Sequence, residues 1–327
     1  MINFILLILG ITGLWFGSGL VVESGKNIAL RLKVSQTLVG LTIISIGTSI
    51  PEIFTNIFSG LKVSKGIEAS GIAIGTNIGS DVTQITFILG LTALLGTMYA
   101  TKKLMNRDFI MIFLSIILVF IAGLTGYKIY AIEGIIMLII YIIYLYYVGK
   151  NEKAFGKILN HHKDPKIKKP IGHLHDVALM TLGIAILIYS SNLVVNNALK
   201  ISELWGISQS FIGVLIIGVG TGLPELSTAI RAVTKKASDI SLGTLIGSNI
   251  TDPMLSLPLG AIFAGKIGLT MEKNLLFFDI PFWFLASLVA YLLVRHNMRI
   301  GKEEKKEGYI LLTLYAIFVF IKIAFFM

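Results

Sequence analysis
The chain has 327 residues, of which 55% are hydrophobic and only 14% charged, with a formal net charge of +10. A soluble domain carries about 25% charged residues, so a globular enzyme is excluded. The positive balance belongs to short connecting loops rather than to a nucleic-acid surface, and with no cysteine the chain has neither a disulfide framework nor a thiolate metal site.

The apolar residues come in runs such as Ile110 to Ala122, Ile135 to Val148, Val177 to Ser190, Leu275 to Val294 and Tyr309 to Phe326. A helix that crosses a bilayer needs about 20 mostly apolar residues. Taken in chain order, the pattern predicts ten helices, at about 3–24, 36–60, 70–97, 108–125, 131–149, 176–198, 207–231, 240–264, 274–294 and 307–325. The fold class is therefore an all-α polytopic membrane protein. The first segment is apolar from residue 2 and lacks a basic region and a small-residue cleavage site, so it reads as a span and not a removed leader.

Sidedness follows from Lys and Arg, which are retained on the cytoplasmic face. They crowd the segments 26–33, 102–107, 150–169, 231–236 and 295–306, while the opposite face keeps Lys62, Lys65, Lys128, Lys200, Lys266, Lys273 and Lys322. This puts both termini outside and the 150–175 loop in the cytoplasm of a cell whose plasma (inner) membrane holds the chain.

A repeat organises the chain. "VSQTLVGLTIISIGTSIPEIFTNI" from Val34 matches "ISQSFIGVLIIGVGTGLPELSTAI" from Ile207 at a constant offset of 173 positions. "GTNIGSDVTQ" from Gly75 matches "GTLIGSNITD" from Gly243 at an offset of 168. Five helices separate the copies, and an odd number inverts the second against the first. The division is a five-helix half at 1–149 with its motif at 40–90, the loop at 150–175, and a five-helix half at 176–327 with its motif at 213–260. Inverted repeats of this kind place a substrate near the bilayer midplane between the halves.

The shared residues are mostly polar, Gly and Pro. Glu52, Asp81, Glu225 and Asp252 all fall mid-span, where a carboxylate costs about 2.5–3.5 kcal/mol. No Lys or Arg in these helix centres is placed to offset them. Ser45, Ser49 and Glu52 recur at helical spacing with Thr48 beside them. Thr76, Ser80 and Gln84 step by four, as do Thr244, Ser248 and Asp252, and residues so spaced share a face. Each face offers only oxygen, which suits hard cations such as Ca2+ and Na+ rather than zinc or copper. The histidines lie elsewhere: His161, His162, His173 and His175 in the loop, and His296 at a helix end. Pro51 and Pro224, each one residue before its Glu, free the carbonyls of Gly47 and Gly220. The glycines of the motifs allow close helix packing.

On "GTSIPEIFT" (47–55), "GTGLPELST" (220–228), "GTNIGSD" and "GTLIGSNITD", the sequence resembles the calcium/cation antiporter superfamily, most of all its prokaryotic sodium/calcium exchanger branch. The resemblance runs over essentially the whole chain. It implies electrogenic exchange of Ca2+ against Na+ by alternating access, with the first and sixth helices sliding past a rigid core. It implies that Glu52 and Glu225 coordinate Ca2+ with Thr48 and Thr221. The sodium sites then take Ser49, Ser80 and Ser248 with backbone carbonyls at Ser45 and Gly218, and the acid of the second motif falls on Asp252.

Three positions depart from the family pattern. Gly222 stands where Ser is usual, Gln84 where Asn is frequent, and Asp81 where a neutral residue is usual. They open one alternative to Ca2+/Na+ antiport, Ca2+/H+ antiport, since crowded carboxyls can carry protons. A separate alternative is a passive cation channel or non-transporting sensor, and a channel suits a single-chain inverted repeat less well. The expected partners are the transported ions and the bilayer, with no cofactor and no nucleic acid. A monomer suffices, and the oligomeric state is left open.

Overall fold
The structure is a computed structural model that describes residues 2–31, 45–151, 173–234, 238–301 and 305–326. The beginning of the first repeat at 34–44 and most of the 150–175 loop lie outside the described residues, as does the side chain of Ser45.

The helices, in chain order, are α1 (Ile2–Arg31), α2 (45–64), α3 (Ser70–Leu95), α4 (Leu104–Leu124), α5 (Ala131–Asn151), α6 (His173–Trp205), α7 (Gln209–Thr234), α8 (238–264), α9 (Leu275–Asn297) and α10 (Lys306–Phe326). Among the described residues eight of these are long and apolar enough to cross a membrane; α2 and α8, which carry motif residues, fall outside that set. The molecule is therefore a multi-pass membrane protein whose described part is almost wholly helical.

Several boundaries differ from expectation. α1 runs on to Arg31 and α6 to Trp205, each beyond the apolar stretch that the sequence marks. What ends α6 is Gly206 at φ +63, with the Ile207 amide turned back onto the Ser202 carbonyl at 3.2 Å. That left-handed cap is a glycine device, invisible to hydropathy. α4 starts four residues early, because a π-turn at Leu104–Asp108 draws residues 104–107 into the helix.

α3 lies at the centre, buried along the whole of Ser70–Thr83. Its glycines make this packing close: a Cβ on Gly79 would stand 2.2 Å from the Val214 carbonyl oxygen of α7, and one on Gly218 of α7 would stand 2.7 Å from the Gly79 carbonyl carbon. Backbone meets backbone where α3 and α7 cross, which only glycine permits. α5 and α10 lie at the periphery; α5 turns Ile132, Ile135, Ile136, Ile139, Ile142 and Ile143 outward, as a lipid-facing helix does. α1 packs along α6 through Gly10, Gly13 and Gly17, which approach Ser190, Val194 and Gly183.

Two short sheets tie the loops. β1 (Met98–Tyr99) pairs antiparallel with β4 (Arg299–Ile300), and β2 (Lys128–Ile129) with β3 (Leu269–Thr270).

Lys322 corrects the charge reading. It is not a flanking loop charge: it is fully buried, donating to Asp279 Oδ2 at 2.9 Å, and lies 5.1 Å from the centre of the Phe326 ring. A lysine this deep is held by a partner, and the partner, Asp279, looks in sequence like one more residue of an apolar run.

Candidate functional site
The two halves break their second helices at matched places. α2 is interrupted at Ser49 (φ −82, ψ 6) and resumes at Ile50 with Pro51 in its first turn. α7 is interrupted at Gly222 (φ −75, ψ −1) and resumes at Leu223. Proline suits a first turn because its missing N–H has no partner there anyway. In each half the glutamate falls in that first turn, Glu52 after one break and Glu225 after the other.

From there the side chains converge. Glu52, Ser49, Ser80, Asp81, Gln84, Glu225, Ser248 and Asp252 are all fully buried, and Thr48 and Thr221 nearly so. Ser80 Oγ donates to Glu52 Oε1 at 2.8 Å, and Gln84 Nε2 donates to Ser80 Oγ at 2.9 Å. Gln84 Nε2 also reaches Asp252 Oδ2 at 3.3 Å, joining α3 to α8. In the other half Ser248 Oγ lies 3.4 Å from Glu225 Oε1, and Thr48 Oγ1 lies 3.2 Å from Ser248 Oγ. The Glu52–Ser80 contact thus recurs as Glu225–Ser248, one in each half.

Many of these oxygens remain without a hydrogen-bond partner: Ser49 Oγ, Glu52 Oε2, Glu225 Oε2, Asp252 Oδ1 and both carboxyl oxygens of Asp81. Buried polar atoms are nearly always paired, so a group of orphaned acceptors in one place is a demand for positive charge. Among the described residues no three acids or histidines cluster closely enough to hold a metal ion by themselves. A cation there would complete its shell with hydroxyl, amide and carbonyl oxygens, as hard cations do.

The remaining candidates are placed as follows. Thr221 Oγ1 donates to the Ile217 carbonyl at 3.0 Å, leaving its lone pairs free to accept. The Gly218 carbonyl accepts the Gly222 amide at 3.2 Å and the Thr221 hydroxyl at 3.4 Å, so it is already engaged inside α7. Ser45 is the first described residue of α2, and its side chain is not among the described ones.

Sequence reasoning missed Asn249. Its amide donates to Gln84 Oε1 at 2.9 Å, and its carbonyl accepts from Trp283 Nε1 at 3.3 Å. The signal was present in the repeat: Asn249 is the counterpart of Asp81, and Asp252 that of Gln84. The halves therefore exchange acid and amide, with Asp81 and Gln84 in α3 facing Asn249 and Asp252 in α8. A second missed link is Asn56 of α2, which donates to Ser256 of α8 at 3.0 Å, below the site.

α1 lies across both breaks. A Cβ on Gly220 would meet Ile11 at 2.7 Å, and one on Gly47 would meet Val22 at 2.5 Å.

A buried, acid-rich, oxygen-only centre inside a multi-pass helical protein is the mark of an ion transporter. A family model described as sodium/calcium exchanger protein matches residues 2–150 and 175–324. The chain belongs to the sodium/calcium exchanger family, a family of transporters and not of enzymes. It is 32% identical to the sodium/calcium exchanger MaX1 of Methanosarcina acetivorans, over 97% of each chain. It is 31% identical to a Ca(2+)/H(+) antiporter of Synechocystis over 45% of this chain and 37% of that one. Among solved structures it resembles the sodium-calcium exchanger NCX_Mj soaked with 2.5 mM Na+ and 0.1 mM Ca2+, with a TM-score of 0.64 and 29% identity over 100% of this chain and 99% of that one.

Proposed function
We propose that the chain is a secondary active antiporter that exchanges Ca2+ for Na+ across the membrane by alternating access. The observation that carries the reading is the set of orphaned carboxylate and hydroxyl oxygens gathered from α2, α3, α7 and α8. Glu52 and Glu225, with Thr48 and Thr221, hold Ca2+. Ser49, Ser80, Ser248, Gln84, Asp81 and Asp252, with backbone oxygens at Ser45 and Gly218, serve the counter-ion. The two sets adjoin through the Ser80–Glu52 and Ser248–Glu225 contacts, so binding of one ion opposes binding of the other.

The architecture behind this is ten spans in two inverted halves, 1–149 and 176–327, joined by the cytoplasmic loop 150–175, with both termini outside the plasma membrane. Exchange of the halves carries β1 onto β3 and β4 onto β2, so one sheet maps onto the other at the opposite end of the helices, which supports the inversion. α1, lying over both helix breaks and meeting α6 through glycines, is the mobile cover, and the small contact atoms of that seam favour sliding.

The test is Ca2+ uptake into proteoliposomes driven by an imposed Na+ gradient. Uptake that needs the gradient supports the reading, and its absence with active, oriented protein would sink it. Ca2+/H+ exchange is favoured by one observation, the missing hydroxyl at Gly222, the counterpart of Ser49. Uptake driven by a pH gradient without Na+ would establish it instead.

A further inference from the structure
We propose that Tyr141 of α5 and Tyr315 of α10 are positioning residues, each bracing a π-turn that carries a site side chain, Tyr141 through the residue just before the turn and Tyr315 through a ring inside it. The inference rests on the reading that Gln84 and Asp252 face the transported cations, and it assigns work to two helices that bring no ligand of their own.

The π-turns begin at the site. One spans Gln84–Ile88 in α3 and the other Asp252–Ser256 in α8. A π-turn carries an extra residue in its hydrogen-bonded ring, so the regular ladder no longer fixes where its first side chain points. In α8 the cause is visible: Pro253 has no N–H to give. Something outside the helix must then hold Asp252 in place.

Tyr141 does so through Thr251. The two hydroxyl oxygens lie 2.8 Å apart, both buried. Thr251 Oγ1 already donates its one hydrogen to the Gly247 carbonyl at 2.9 Å, so the Tyr141 hydroxyl is the donor between them. The other half has a related arrangement. Thr83, the repeat counterpart of Thr251, precedes Gln84 at the start of the matching π-turn, and α10 packs Tyr315 against that turn. The Tyr315 ring lies 5.3 Å from that of Phe87, inside the same π-turn.

Each of these helices is anchored a second time, also at a π-turn. Tyr144, one turn beyond Tyr141, donates to Asp108 at 2.7 Å, and Lys322 of α10 donates to Asp279 at 2.9 Å. Asp108 and Asp279 are the last residues of the π-turns Leu104–Asp108 and Leu275–Asp279. α5 and α10 are thus struts, each running from a π-turn at the site to another in α4 or α9. A chain that merely needed lipid-facing cover would have no reason to repeat this in both halves.

The experiment is Ca2+ titration of the purified full-length protein by calorimetry, paired with uptake in proteoliposomes, for wild type and Tyr141→Phe. The phenylalanine keeps the ring and leaves Thr251 bonded to Gly247. The expected result is a Ca2+ Kd and uptake KM raised about fivefold, as loss of one hydrogen bond of ordinary net strength implies. Maximal rate stays near the wild-type value, and the melting temperature falls by at most a few degrees, as one lost hydrogen bond implies. Thr251→Val gives the same shift, and Thr251→Ser restores the wild-type affinity. Unchanged affinity in Tyr141→Phe, or a lowered melting temperature with Kd and KM intact, overturns the inference alone. A wild-type protein that binds no Ca2+ overturns the exchange reading and this one with it.

Discussion

The Thr48 and Ser248 hydroxyl oxygens meet 3.2 Å apart across 200 positions of chain. One belongs to the broken helix of the first half and the other to the eighth helix, whose Ser248 also reaches Glu225. The site therefore exists only when the halves are closed on one another, and neither half offers both glutamates. Changes at the ligands should act on transport, while changes at the seams should act on the fold.

Glu52→Gln and Glu225→Gln test the ligands. The amide keeps the shape and can still accept the serine bond seen at Ser80 or Ser248. A charge pair about 4 Å apart in a partly screened interior is worth about 4 kcal/mol, so Na+-driven Ca2+ uptake should fall at least about a hundredfold in either variant. Gel-filtration profile and melting temperature should stay near wild type. Full transport by either would make these acids structural.

Gly222→Ser tests the counter-ion. A Cβ there would sit 3.4 Å from the Gly218 carbonyl oxygen, an ordinary contact, so serine fits without displacing the backbone. It restores the hydroxyl that Ser49 supplies in the other half. The Na+ concentration that half-maximally releases bound Ca2+ should drop by about two- to tenfold, the range of one added net hydrogen-bond-strength contact. No change would mean that Na+ does not visit this place.

Asp81→Asn tests the unpaired acid. Both of its carboxyl oxygens are buried without a donor. Without cations the variant should be more stable than wild type by about 1–3 kcal/mol, because an amide is buried without the desolvation cost of an unpaired carboxylate. The stabilisation that saturating Ca2+ confers, read as a shift in melting temperature, should shrink correspondingly. A less stable cation-free variant would show that Asp81 has a protein partner.

Lys322→Met tests the buried ion pair of α9 and α10. Stranding Asp279 in this interior should destabilise the fold by about 3–5 kcal/mol. The double variant Lys322→Met/Asp279→Leu removes both charges and should recover most of the loss in the same denaturation assay. Equal loss in single and double variants would mean that packing and not charge is what Lys322 contributes.

Much of this was written in the order of residues. The paired G-T-x-x-P-E segments pointed to freed carbonyls at Gly47 and Gly220, close to the breaks that the structure shows at Ser49 and Gly222, because proline states its backbone needs locally. The step of four from Thr76 through Ser80 to Gln84 gave the face of α3, and the structure joins Ser80 to Gln84 on it. What stayed hidden depends on neighbours distant in the chain. A π-turn has no compositional mark apart from a proline such as Pro253. Asp279 and Lys322 are each a lone charge in an apolar run, and only their 2.9 Å contact explains them. Counting Lys322 among the loop charges failed for the same reason: hydropathy registers how deep a residue can go, not whom it meets there. Asn249 was legible in the repeat, but as an amide it lacked the charge that drew attention to Asp81.

The Asp279–Lys322 contact also bears on how the chain enters the membrane. Each charge, carried into the bilayer on its own helix, would oppose partitioning, by at most the roughly 2.5–3.5 kcal/mol of a charge at a helix centre. Met within the α9–α10 hairpin, the two charges neutralise each other before either must face lipid. α9 and α10 are therefore best delivered by the insertion machinery as one unit. A nascent chain stopped between them should hold α9 loosely at the membrane, and membrane retention of α9 should become firm only once Lys322 has been synthesised.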